Sequence, residues 1–163
     1  MTAPVPSNAT SISTCVFCID NPLGKSVVEK QLVFTTKYFH VLLEHKPITK
    51  GHFIITPIRH TLNRFTLTKR EDYDLYEVFK KINNIYQGVF NTNTSIVYEK
   101  NGMGIPHFQI HVIPVSNSIL SRLWVQIKLI LITLPGINFF FRTLKEPQLR
   151  AISTEFNKKI ILV

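Results

Sequence analysis

Hydrophobic and polar positions alternate along this chain in a pattern that predicts short β-strands on either side of one long helix. Runs of β-branched, aromatic and other apolar residues are bounded by turn-forming residues, which is typical of strands. The predicted strands cover residues 31–34, 38–43, 53–56, 95–98 and 107–113. A Thr-Thr-Lys segment separates the first two strands and predicts a hairpin.

The segment 68–90 carries the clearest helix signal. Thr68, with Glu71 three positions later, forms a capping-box pattern. Apolar residues then recur at helical spacing, at Leu75, Phe79, Ile82, Tyr86 and Val89. Strands, a long helix and further strands predict an α+β fold, with the helix packed on an antiparallel sheet.

The chain divides into three parts by composition. Residues 1–13 are rich in Pro, Ser and Thr and predict a flexible tail, residues 14–116 predict one folded domain, and residues 117–163 form an apolar C-terminal extension. The extension either packs on the domain as a helix and strand or forms an interface. A basic amphipathic segment over 117–145 that lies on a membrane surface is the alternative. A spanning helix is not favoured, because no stretch of about 20 residues is free of charge or breaker.

Charge and cysteine content narrow the classes of partner. The formal net charge of +9 favours anionic partners, such as phosphorylated metabolites, nucleic acid or an acidic membrane. Nucleic acid is not favoured, because no basic cluster with interleaved aromatic residues is present. The N-terminus lacks the pattern of a secretory signal. We therefore expect a cytoplasmic protein, and peripheral association with a membrane is the alternative.

The two cysteines, Cys15 and Cys18, stand at the spacing of a metal knuckle. Zinc prefers four thiolate or imidazole ligands in a tetrahedron, so two further ligands are needed. Among the six histidines, His60 follows a predicted strand and His107 opens another, and either can approach the cysteines in a folded sheet. Two buried free thiols are the alternative.

The strand at 107–113 carries a row of polar side chains. Side chains alternate between the faces of a strand, so His107, Gln109 and His111 share one face and the apolar residues between them share the other. The glycine-containing loop just before this strand allows backbone N–H groups to approach an anion. The pattern indicates a site wall beside a phosphate, and an exposed polar strand face is the alternative.

These motifs together resemble the histidine triad family. The segment PHFQIHVIP resembles the motif His-φ-His-φ-His-φ-φ, in which φ is apolar, and CVFC resembles the N-terminal motif of the zinc-containing, bacterial-type branch. The segments around KGHFIITPIRH and the long helix follow in the family's order, so the resemblance covers residues 15–114.

The resemblance implies a histidine-triad-like antiparallel sheet with a long helix, a structural zinc ion and a nucleotide or nucleoside phosphate as ligand. It implies a homodimer. The implied zinc ligands are Cys15, Cys18, His60 and His107, and the implied nucleotide-binding residues are Glu44, Asn101, Gly102, Met103 and Gly104.

One residue departs from the family pattern at the position of the nucleophile. The resemblance assigns covalent catalysis to the central triad histidine, but this position is Gln109, whose carboxamide is neither a nucleophile nor a base. We therefore expect hydrolase or nucleotidyltransferase activity to be lost or altered, with Gln109 and His111 at the reaction centre. Three alternatives stay open: His111 acts as nucleophile, His111 or His52 activates water, or the fold serves as an interaction scaffold.

Overall fold

A computed structural model describes residues 15–20, 22–101, 104–133 and 143–160 of this protein. Five strands form one antiparallel sheet in the order β1-β2-β3-β5-β4. The strands are β1 (Leu32–Thr35), β2 (Phe39–Leu43), β3 (Phe53–Pro57), β4 (Ser95–Asn101) and β5 (Phe108–Pro114). The helices are α1 (Pro22–Gln31), α2 (Lys69–Phe90), α3 (Ile119–Thr133) and α4 (Glu146–Ile160). A 3₁₀ turn spans Arg64–Thr66. The predicted α+β class is confirmed.

Helix α2 begins where the sequence predicts, because its first turn satisfies its own backbone donors. The Thr68 hydroxyl accepts from the N–H of Glu71, and the Glu71 carboxylate accepts from the N–H of Thr68. The helix ends at Asn91, which adopts the left-handed conformation with φ of 49°. Both predicted ends of this helix are therefore confirmed.

One face of the sheet forms the main core against α2 and α4. Alternate side chains of the strands point to this face, namely Phe39, Val41, Leu43, Phe53, Ile55, Phe108, Ile110 and Val112. Helix α2 contributes Leu75, Val78, Ile82 and Tyr86. The predicted orientation of the last strand, with its apolar residues toward the helix, is confirmed. The opposite face of the sheet carries the polar side chains.

The C-terminal extension forms two helices, α3 and α4, and its described residues contain no strand, whereas a helix and a strand were predicted. Leu149 and Phe156 of α4 enter the main core, where the Phe156 ring packs edge-on against Phe53 with centroids 5.1 Å apart. Helix α3 instead packs Val125 against Ile113 at one end of the sheet. None of the described helices is both long enough and apolar enough to span a bilayer.

Three predicted boundaries were wrong. Gln31 ends α1, a helix that the sequence patterns do not indicate, and does not open β1. Strand β4 continues past Tyr98 to Asn101, because its pairing with β5 extends to the Asn101–Phe108 pair. His107 lies just before β5, where its N–H bonds to the carbonyl of Ile105 and does not join the ladder. Residues 1–14 and 134–142, including the predicted tail, lie outside the described residues.

Candidate functional site

The polar face of the sheet brings two groups of side chains together. His107, just before β5, and Gln109 and His111 on β5 point to this face, as the alternation predicts. His111 lies opposite Ile54 of β3 and Tyr98 of β4 in the register. A Cys/His cluster forms at the His107 end, and a cavity opens toward the His111 end.

The Cys/His cluster contains all four predicted metal ligands. The ligand atoms of Cys15, Cys18, His60 and His107 lie within 4.8 Å of one another. His107 Nδ1 lies 3.2 Å from Cys15 Sγ and 3.6 Å from Cys18 Sγ, and His60 Nδ1 lies 3.2 Å from Cys18 Sγ. A tetrahedron with Zn–S near 2.3 Å and Zn–N near 2.0 Å has S···N edges of about 3.5 Å. The cluster therefore has the size and the donor set to hold a metal ion.

The surroundings of this cluster also suit a metal. His107 Nε2 donates to the carbonyl of Pro57 at 2.9 Å, which leaves the Nδ1 lone pair directed at the cysteines. Such an outer hydrogen bond is the usual way in which a ligating histidine is oriented. Burial, together with the neighbouring Cys15, raises the pKa of the Cys18 thiol to about 12. A cation beside Cys18 would stabilise its thiolate.

A cavity of about 530 Å³ lies next to the cluster on the same face. Its polar wall contains Glu44, His45, Lys46, His52, Lys100, Gln109 and His111, and Gln31 adds an amide. Its apolar wall contains Val16, Phe17, Val27, Ile54, Tyr98 and Ile105. An apolar wall combined with a few convergent polar groups is typical of a small-molecule site. The ammonium groups of Lys46 and Lys100 in this wall favour an anionic ligand.

Two histidines form a hydrogen-bonded relay at the floor of the cavity. The backbone N–H of Ile48 donates to His52 Nδ1 at 3.3 Å, so a neutral His52 carries its proton on Nε2. This Nε2 lies 3.0 Å from His111 Nδ1 and donates to it. Burial lowers the pKa of His52 to about 4 and that of His111 to about 3, which keeps both rings neutral.

The relay fixes what His111 presents to the cavity. Because its Nδ1 accepts a proton from His52, neutral His111 carries its own proton on Nε2. Among the described residues this buried Nε2 has no hydrogen-bond partner. The Tyr98 ring stacks on His111 with centroids 4.6 Å apart and planes 2° apart, which holds the imidazole in place. His111 therefore offers an oriented N–H donor.

Glu44, His52 and His111 also place three potential ligand atoms within 4.8 Å. A metal bound to His52 Nε2 requires the imidazole proton to move to Nδ1. This proton would then face the N–H of Ile48, which already donates to Nδ1. The shared proton of the histidine pair therefore disfavours a cation at this position, and of the two clusters among the described residues the Cys/His cluster suits a metal better.

Glu44 is the acidic group of the cavity and is held ionised. Burial opposes ionisation, but hydrogen bonds from His45 and from the backbone N–H of Lys46 lower the pKa of Glu44 to about 2. Its Oε1 accepts from His45 Nδ1 at 2.8 Å and from the Lys46 N–H at 2.9 Å. Its other oxygen lies 3.8 Å from His111 Nδ1. Glu44 thus presents an acceptor for a ligand hydroxyl in the same cavity wall as His111.

Gln109 lies between the metal cluster and the relay. Its side-chain amide donates to the carbonyl of His107 at 3.3 Å, and its side chain lines the cavity while remaining almost fully buried. A carboxamide in this position can orient a ligand by hydrogen bonds but cannot attack it.

Of the predicted nucleotide-binding residues that the structure describes, one lines the cavity and two do not. Glu44 lines the cavity, whereas Asn101 and Gly104 are exposed and are not part of its described wall. Gly102 and Met103 lie outside the described residues. Sequence reasoning did not identify Tyr98 and Lys100, although their alternation on β4 places them on the face of Gln109 and His111. The contribution of helix α1 to the cavity wall, through Val27 and Gln31, was also not predicted from the sequence.

The chain is similar to proteins that are named for nucleotide hydrolysis. The family described as "protein similar to CwfJ C-terminal" matches residues 3–128. A bis(5'-adenosyl)-triphosphatase of Saccharomyces cerevisiae is 30% identical over 96 residues, which are 56% of this chain and 47% of that protein. The chain thus spans about half the length of the curated relatives it matches.

Two solved structures share the fold. A Zn-bound histidine triad family protein from Mycobacterium smegmatis matches 90% of this chain and 97% of its own, with a TM-score of 0.54 and 18% identity. The diadenosine triphosphate hydrolase of Plasmodium falciparum matches 81% of this chain and 80% of its own, with a TM-score of 0.55 and 21% identity. The histidine triad fold predicted from the sequence is therefore confirmed.

Proposed function

We propose a function from one premise: the chain belongs to the family of proteins similar to the CwfJ C-terminal domain, and it has the histidine triad fold. The proposed function is the binding of a nucleotide or nucleoside phosphate in the cavity beside Gln109 and His111. In this proposal hydrolase or nucleotidyltransferase activity is lost or altered, because a carboxamide replaces the attacking imidazole.

The observation that carries the proposal is the pair of groups at the centre of the cavity. The Nε2–H of His111 has no partner among the described residues, and the ionised Glu44 lies near the same ring, with one oxygen 3.8 Å from its Nδ1. A phosphoryl oxygen accepts from the first group, and a ribose hydroxyl donates to the second. The apolar wall, with Phe17 and Ile105, suits the face of a base.

The relay argues against His111 as a replacement nucleophile. Attack or base catalysis needs a lone pair on a ring nitrogen, but Nδ1 of His111 accepts from His52 and Nε2 carries the proton. His52 has the same difficulty, since its Nδ1 accepts from the Ile48 N–H. Both histidines are therefore assigned to binding, where a neutral donor is sufficient.

Zinc is the proposed occupant of the Cys/His cluster. Two thiolates and two imidazoles with all four positions filled from the protein are typical of structural zinc sites, whereas catalytic sites keep one position open. The ligands would be Cys15, Cys18, His60 and His107. Held there, the ion would join the N-terminal segment to the start of β5 and supply no step of a reaction.

A homodimer is proposed from the edge of the sheet. Strand β4 lies at the end of the strand order, and its Val97 is 47% exposed. Phe65 and Tyr76 are 92% and 59% exposed. An edge strand combined with exposed aromatic residues is a common pairing surface. A monomeric mass by light scattering at high protein concentration would contradict this assignment.

The decisive experiment restores the nucleophile. The wild type, Gln109→His and Gln109→Asn are each incubated with diadenosine triphosphate and adenosine 5′-phosphoramidate, and AMP release is followed by chromatography. We expect Gln109→His to exceed the wild type by about 100-fold or more, because a covalent step becomes available. Gln109→Asn keeps the amide and should remain as slow as the wild type.

Calorimetry with AMP tests the binding half of the proposal separately. Replacing the donor by His111→Phe should weaken binding about 10-fold or more, because a hydrogen bond to a charged oxygen is lost. Wild-type turnover as fast as that of Gln109→His would refute the loss of the nucleophile. Absence of AMP binding by both the wild type and Gln109→His would refute the ligand assignment.

A further inference from the structure

Helix α3 exposes an apolar face that the proposed function does not use. Ile119, Leu120, Leu123, Trp124 and Ile127 are 81%, 78%, 52%, 57% and 37% exposed, although all five are large and hydrophobic. With about 100° of rotation per residue, these five side chains fall within an arc of roughly 140°. They form one continuous stripe, which we call the α3 stripe.

The opposite face of α3 holds the helix on the domain. Val125 is buried against Ile48 and Ile113, and Leu129 packs on the same cluster. Lys128 Nζ donates to the carbonyl of Ile48 at 2.9 Å, which fixes the helix to the loop before β3. The α3 stripe is therefore held outward by packing on its reverse side and is not a loose segment.

The charged residues near the α3 stripe in the sequence have a single sign. From Lys100 to Lys145, counting both, the chain contains five lysines and arginines and no aspartate or glutamate. Within α3 the cations are Arg122 and Lys128, one on each side of the stripe. The Lys128 ammonium lies 5.5 Å from the centre of the Trp124 ring, at the border between the apolar and the basic surface.

We propose that the α3 stripe lies on an anionic lipid surface. An apolar stripe with a tryptophan, basic residues along both sides and no acidic residue is the pattern of a helix that rests in the headgroup region. Anionic headgroups complement the acid-free stretch, and the exposed Arg122 can reach them while the stripe enters the acyl boundary. A second copy of this chain fits less well, because the cations that flank the two stripes would face each other.

Trp124 is the single tryptophan of the chain and reports directly on this contact. The full chain is titrated with phosphatidylcholine vesicles and with vesicles that also contain phosphatidylserine, and Trp124 emission and co-sedimentation are recorded. We expect a blue shift and co-sedimentation with the phosphatidylserine vesicles, both reduced several-fold by high salt. The double variant Leu120→Gln/Leu123→Gln keeps Trp124 and should lose at least 10-fold in binding.

Two further variants make the test specific. Leu23→Gln removes an exposed apolar side chain on α1, outside α3, and should leave binding unchanged. Arg122→Glu should reduce binding to phosphatidylserine vesicles without altering the melting temperature. The proposal is overturned if neither vesicle shifts the Trp124 emission. It is equally overturned if Leu120→Gln/Leu123→Gln abolishes self-association and leaves vesicle binding as it was.

Discussion

Replacing Glu71 by glutamine tests how the start of α2 is stabilised. The Glu71 carboxylate accepts from Arg59 Nε at 2.6 Å and from the N–H of Thr68 at 2.7 Å, and its side chain is only 5% exposed. The Arg59 hydrogen bond lowers the pKa of Glu71 from 4.5 to about 2, against an opposing effect of burial. The ionised form is therefore much more stable in the folded chain than in the unfolded one.

The size of the effect follows from this pKa. Each tenfold change in proton affinity corresponds to about 1.4 kcal/mol, so the lowered pKa contributes about 3 kcal/mol to the free energy of unfolding at neutral pH. Arg59 is 45% exposed, and screening by water reduces this to about 2 kcal/mol. Because the pKa of Glu71 is lowered by folding, the contribution is complete above pH 4.5 and is lost as the pH falls toward 2.

Urea unfolding of the wild type and Glu71→Gln at pH 7 and pH 3 measures this contribution. We expect Glu71→Gln to be less stable by about 2 kcal/mol at pH 7 and by about half as much at pH 3. Glu77→Gln on the same helix is the matched control, because Glu77 forms only a surface pair with Lys80 and should cost less than about 0.5 kcal/mol. Equal losses for the two variants, or a loss independent of pH, would refute the reasoning.

Three other substitutions test the metal cluster and the core. Cys15→Ser should lower the zinc content from about one ion per chain to near zero and reduce the melting temperature, as measured by elemental analysis and calorimetry. Tyr86→Phe should cost about 1–3 kcal/mol in urea unfolding, because the hydroxyl serves the buried carbonyls of Gly51 and Val112. Gly51→Ala should cost about 1–3 kcal/mol in the same assay, because Gly51 has a φ of 85° and an added Cβ would lie 2.6 Å from the Phe90 ring.

The elements that sequence reasoning predicted are those with a local signal. Helix α2 is specified by the Thr68–Glu71 box and by apolar spacing, and both lie within one continuous segment. The common face of His107, Gln109 and His111 follows from strand alternation alone. The same locality explains the failures at strand ends, since the extension of β4 to Asn101 depends on its partner strand.

The interior of the site could not be predicted from sequence, because it depends on contacts between distant segments. The hydrogen bond from His52 to His111 joins residues 59 positions apart, and the proton position depends on the backbone of Ile48. Helix α1 adds Val27 and Gln31 to the cavity wall. Its sequence is short and only weakly amphipathic, so this helix was not predicted. The sequence alone therefore could not predict the tautomer of His111, which decides whether its Nε2 donates or accepts a hydrogen bond.

The placement of α4 has a consequence for how the chain folds during synthesis. Ser153 of α4 donates to the carbonyl of Leu32 on β1, a contact between residues 121 positions apart. At about 5–20 residues per second, the ribosome needs roughly 6–24 s to add the intervening residues. During that interval the apolar rings of Phe53 and Phe90, which later contact Phe156, remain without this partner. The nascent chain therefore completes its core only after Phe156 has left the exit tunnel.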